Sequence, residues 1–88
     1  MMARASALLA QGNIIAARDV LGRAAENGSA RASFTLAETY DPLILHRWRV
    51  FGTRGDPTKA LELYAKAEAG GIEDAKARLE ALALSARR

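Results

Sequence analysis

His46 stands beside Arg47 and Trp48, in a chain with no cysteine and no second histidine. A zinc site needs several Cys, His or carboxylate ligands, and a nucleophile needs a neighbouring base, so this histidine lacks the company either chemistry requires. It reads as a loop or packing residue. Glu73 and Asp74 form the one tight acidic pair, but adjacent residues of a helix point to different faces, which spoils them for acid–base work. In a first helical turn they complement the helix dipole. Gly52 and Gly55 lack the Gly-Lys-Ser/Thr ending of a phosphate loop and shape a turn instead. Arg54-Gly55-Asp56 is formally the tripeptide that adhesion receptors bind, yet a turning glycine, a helix-capping aspartate and a solvated arginine account for all three residues. The expectation is no enzyme: no catalytic residue, no metal ligand and no cofactor site.

Binding has better material. His46-Arg47-Trp48-Arg49-Val50-Phe51 puts the only tryptophan between two arginines, the residue types most enriched at binding hot spots. Two readings stand. In one, Leu45, Trp48 and Phe51 fold down to plug a small core and leave the arginines in water. In the other, Arg47, Trp48 and Arg49 form a docking point on a loop held by a rigid scaffold. The same stretch, with Arg87 and Arg88, also has the makings of a polyanion site in which Trp48 stacks on a base and the arginines neutralise phosphates.

The elements that must hold these residues are visible in a self-match at a spacing of 43 residues. Gly12 falls on Gly55, Ala17 on Ala60, Ala24 on Ala67, Gly28 on Gly71, Ala32 on Ala75 and Leu36 on Leu79. A period of this size belongs to stacked helical hairpins. Five helices are expected: residues 2 to 11, ended by Gly12; a second capped by Asn13 and stopped at Asn27-Gly28; a third over 30 to 40, capped by Ser29; a fourth from Asp56 and Pro57 to Gly70; and a fifth over 72 to 84, with 85 to 88 frayed. The inward faces read as Ala5, Leu8 and Leu9; Ile14, Ala17, Leu21 and Ala24; Ala32, Leu36 and Tyr40; Ala60, Leu61, Tyr64 and Ala67; and Ala75, Leu79, Leu82 and Ala83. Phe34 and Ala37 flank the third stripe and reach toward the next hairpin. Asp41-Pro42 closes the third helix, and 41 to 55 is an irregular insertion with room for a short helix over 42 to 47.

At 88 residues this is one domain, and it buries only about 60–65% of its unfolded surface. Alanine supplies much of its apolar half, so helices approach closely but bury little area per residue. Thirteen basic residues are interspersed with ten acidic ones, for a net charge of +3, a mixture that favours solubility. Arginine over lysine and the high alanine content hint at a GC-rich bacterial genome. No apolar run approaches the roughly 20 residues of a membrane span, and the start has too short and broken an apolar stretch for a signal peptide, so a cytoplasmic location is the default expectation.

Ala24-Ala25-Glu26-Asn27-Gly28, Ala32, Leu36, Tyr40, Gly52, Gly55, Asp56, Lys59-Ala60, Tyr64, Lys66-Ala67, Gly71, Ala75 and Leu79 together resemble Sel-one-like repeats, relatives of the tetratricopeptide repeat. The resemblance spans residues 3 to 82 and is most specific over 56 to 67. Ala37 departs from the usual glycine, Leu63 from the frequent aromatic and Glu68 from the second alanine of a pair, and the link over 41 to 55 is long. What the resemblance implies is an all-α solenoid of two to two and a half antiparallel hairpins that acts as an adaptor or scaffold, without catalytic residues. The expected partner is a protein or peptide, held by exposed positions of the third and fifth helices, Arg31, Thr35, Glu38, Lys76 and Arg78, or by Arg47, Trp48 and Arg49. A second copy docking through open repeat ends is an alternative, as is a purely structural segment of a longer solenoid. Nucleic acid is the less favoured partner, and no membrane is expected.

Overall fold

The computed structural model describes residues 2–86, which form six α-helices and, among the described residues, no strand. They are α1 (Met2–Ala10), α2 (Ile14–Glu26), α3 (Ala30–Tyr40), α4 (Pro42–Arg47), α5 (Pro57–Ala69) and α6 (Asp74–Ala86). Three of the long helices, α2, α3 and α5, begin where a side chain satisfies an orphan amide. Asn13 accepts from the Ala16 N–H at 3.2 Å, Ser29 from that of Ala32 at 3.1 Å and Asp56 from that of Lys59 at 3.1 Å.

The insertion is more regular than expected. Asp41 ends α3 and, through its Oδ1, caps α4 by accepting from the Leu43 N–H at 2.9 Å, with Pro42 set in the first turn. The short helix over 42–47 is therefore a sixth element. At the far end, α6 starts at Asp74 and not at 72, because the Ile72 amide is bound to the Ala67 carbonyl (3.0 Å) in closing α5. Ser85 is helical where fraying was expected; Arg87 and Arg88 lie outside the described residues.

Packing follows the chain: α1 lies on α2, α2 on α3, α3 on α5 and α5 on α6, with α4 held against α3. The result is a slab of 34 × 30 × 16 Å. Its core has two parts that meet at α3. Ala32 and Leu36 face Ala5, Ala17, Leu21 and Ala24, while Phe34 and Ala37 face Ala60, Tyr64, Ala67, Ala75 and Leu82. Alanine and glycine set the spacing: a Cβ on Gly70 would stand 2.5 Å from that of Ala30. Ala83, expected inside, is exposed; Leu82 takes the buried place on that turn.

Candidate functional site

A polar spine runs through the wider half of the core. The Tyr64 hydroxyl on α5 donates to Asp41 Oδ2 at 2.7 Å, and neither side chain reaches water. Arg78 on α6 donates to Glu38 of α3 at 2.9 Å and to the Tyr64 oxygen at 3.3 Å, and its guanidinium lies 5.1 Å from the Phe34 ring centre. Phe34 and Tyr64 meet tilted, with centroids 5.4 Å apart. Burial, then the hydrogen bond to Asp41, pushes the Tyr64 hydroxyl well above the ordinary tyrosine range. Burial also works against the charge of Arg78, but its hydrogen bonds to Tyr64 and Glu38 outweigh that and raise its pKa. The spine is satisfied throughout and offers no open position to a substrate, so its chemistry is structural.

A second brace fastens the insertion. Arg18 of α2 donates to the carbonyls of Thr39 (2.6 Å) and Arg54 (3.1 Å) and stacks 3.9 Å above the Tyr40 ring. The Asp56 amide donates to the Tyr40 carbonyl at 2.8 Å, so the chain beyond the insertion returns to the end of α3.

Between these anchors the 48–55 turn stands out into solvent. Trp48 is 37% exposed and Phe51 76%, whereas Leu45 is buried. The core-plug reading therefore holds for Leu45 and fails for Phe51, whose ring lies edge-on to His46 on the outside with centroids 6.2 Å apart. The core had no vacancy for it, because Phe34 and Tyr64 already fill the space between α3, α5 and α6. Trp48, Arg49 and Val50 meet Leu9, Ala10 and Gly12 from the end of α1 in an open groove of about 500 Å³.

The residues expected to hold a partner fall in separate places. Arg47, Trp48 and Arg49 are exposed at the end of α4, with Trp48 and Arg49 on that groove. Arg31 lines a different depression with Gly71, Ile72, Glu73 and Asp74, and Lys76 is exposed on α6. Thr35 turns inward on its own helix, its hydroxyl donating to the Arg31 carbonyl at 3.1 Å. Glu38 and Arg78, expected to be open, are half-buried and paired with each other. Arg18, Tyr40, Asp41 and Tyr64 were missed as positioning residues. Among the described residues no three His, Cys, Asp or Glu side chains gather as a metal site would require, and no helix is long and apolar enough to cross a membrane.

Comparison with known protein families, with curated proteins and with solved structures finds no match to this chain.

Proposed function

We propose that this chain is a non-catalytic interaction module, a short stack of antiparallel helical hairpins of the Sel-one-like kind, that binds a protein or peptide segment. The observation that carries this reading is the exposed Trp48 and Phe51, with Arg47 and Arg49, on a turn fastened at both ends to the helices. A large aromatic left in water forgoes the stabilisation that burial would give a domain with so small a core, and aromatic residues contribute heavily to binding when a partner covers them. The order of packing, each long helix on its neighbour in sequence, supports the hairpin stack.

The test is a pull-down from source lysate on the immobilised chain, with and without nuclease, read by mass spectrometry and ultraviolet absorbance. A discrete protein retained after nuclease supports the adaptor. Retention that disappears with nuclease replaces it with a polyanion binder. A thermal transition that rises with protein concentration, and no retained protein, replaces it with a self-associating structural segment.

A further inference from the structure

Acidic and basic residues mix over part of the chain, and two stretches carry bases alone. All ten lie in residues 19–41 and 56–80, while residues 1–18 and 42–55 contain Arg4, Arg18, Arg47, Arg49, Arg54 and His46 with no acid among them. The fold brings these two acid-free segments together twice: at the groove, where Leu9, Ala10 and Gly12 meet Trp48, Arg49 and Val50, and at the Arg18 bond to the Arg54 carbonyl. Of these basic side chains Arg49 lines the groove, beside the apolar Leu9, Ala10 and Val50, and neither segment that forms the groove carries a carboxylate to neutralise it.

A second observation points to the same place. Four helices end in the same hydrogen-bond pattern, in which the residue two beyond the capping position reaches back six residues in the count. These bonds are Asn13 N–H to the Leu8 carbonyl (2.8 Å), Ser29 to Ala24 (3.1 Å), Val50 to Leu45 (2.9 Å) and Ile72 to Ala67 (3.0 Å). The pattern needs a left-handed residue. Gly12 (φ 76°), Gly28 (φ 94°) and Gly71 (φ 99°) supply it three times, and at the fourth, after α4, the chain uses Arg49 at φ 60°. Arginine is strained there where glycine is not, so the folded state is less stable for having it. Strain kept at one of four equivalent positions, and that one on the groove, is what a functional side chain would explain.

We propose that the groove between the end of α1 and the cap of α4 holds an acidic segment of a partner protein, with an aliphatic or aromatic residue seated on Leu9, Ala10 and Val50 beside Trp48 and a flanking carboxylate paired to Arg49. This rests on the adaptor reading and adds the chemistry of the partner. Arginine is suited to a carboxylate because its planar fork donates two parallel bonds. A nucleic acid fits less well. Affinity for a phosphate backbone grows with the number of phosphates neutralised, and of the five arginines in these segments Arg18 is already bonded to two carbonyls.

The experiment pans a random peptide library on phage against the immobilised full chain. It then measures fluorescein-labelled copies of the enriched peptides by anisotropy on the wild type, R49G and W48A, with labelled oligothymidine alongside. R49G is the informative variant because glycine relieves the strain: its melting temperature rises by about 4 °C or more while its affinity falls about tenfold or more. Enriched peptides that place acids next to an apolar residue, bound through Arg49 and Trp48, establish the proposal. Peptides without acids, or binding unchanged in R49G, overturn it and leave the adaptor reading standing. Oligothymidine bound more tightly than any peptide overturns it in favour of a polyanion. Failure of peptides here together with failure of proteins in the pull-down removes both.

Discussion

The Tyr64 hydroxyl and the Asp41 carboxylate, 23 residues apart in the chain, meet at 2.7 Å in the core, where the second oxygen of the same carboxylate caps α4. One side chain thus ties α5 to the α3–α4 corner and sets where the insertion begins. Tyr64→Phe leaves Asp41 Oδ2 buried without its donor and is expected to cost about 1–3 kcal/mol. Asp41→Ala costs more, since it also removes the cap, a loss of about 0.5–2 kcal/mol by itself. The double variant loses less than the two single losses together, because the pair is one interaction. Urea unfolding of the four proteins checks this; strict additivity would show the bond to be energetically idle.

The same pair makes stability depend on alkaline pH. Tyr64 ionises above its ordinary pKa in the folded chain, held neutral by burial and by the Asp41 carboxylate. Above about pH 10 the unfolded chain gives up the tyrosine proton and the folded chain retains it, so the unfolded state binds fewer protons and stability falls as pH rises. Below pH 10 the contribution is complete. The stability gap between wild type and Tyr64→Phe is therefore expected to narrow above pH 10, by up to about 1.4 kcal/mol per pH unit. Denaturant titrations at successive pH values read it, and a gap that stays constant contradicts the assignment.

Glu38 and Arg78 are expected to act on stability and not on partner binding. Their side chains are 16% and 26% exposed, and the pair closes α6 onto α3. Glu38→Ala should cost about 1–2 kcal/mol, between the limits for exposed and buried pairs. If the partner is held at the α1–α4 groove, its affinity changes less than twofold in this variant at temperatures where the chain is folded. A large loss of affinity with unchanged stability would return the binding surface to the face of α3 and α6.

Local signals were legible in the sequence and distant ones were not. Asn13, Ser29 and Asp56 each bond an amide three residues ahead, so composition and spacing suffice to place them. The partners that Arg18, Asp41 and Arg78 meet on other helices stand 14 to 40 residues away, and they become neighbours only once the helices have packed. Glu38 and Arg78 looked like open groove positions because each, on its own helix, is a polar residue off the apolar stripe. On α6 the stripe itself is faint: alanine recurs on all sides of the helix, so Ala83 and Ala75 look alike although one is exposed and the other buried. The strain at Arg49 could not be read either, since only the backbone angle sets it apart from any other arginine.

The hydrophobic residues of the insertion divide their labour, and two substitutions with one fluorescence measurement separate the parts. Leu45 is 3% exposed, so Leu45→Ala should cost about 2–5 kcal/mol through the cavity it leaves. Phe51 is 76% exposed and its loss should change stability by no more than about 0.5 kcal/mol. Trp48, at 37% exposure, should emit at long wavelength and be quenched readily by acrylamide in the free chain. Binding of an acidic peptide in the groove is then expected to shift that emission to the blue and protect it, because the indole forms one wall. The order of effects matters more than any one value. If Phe51→Ala destabilises the chain as much as Leu45→Ala, or if Trp48 is already blue-shifted and protected without a partner, the turn belongs to the core and cannot be the proposed binding surface.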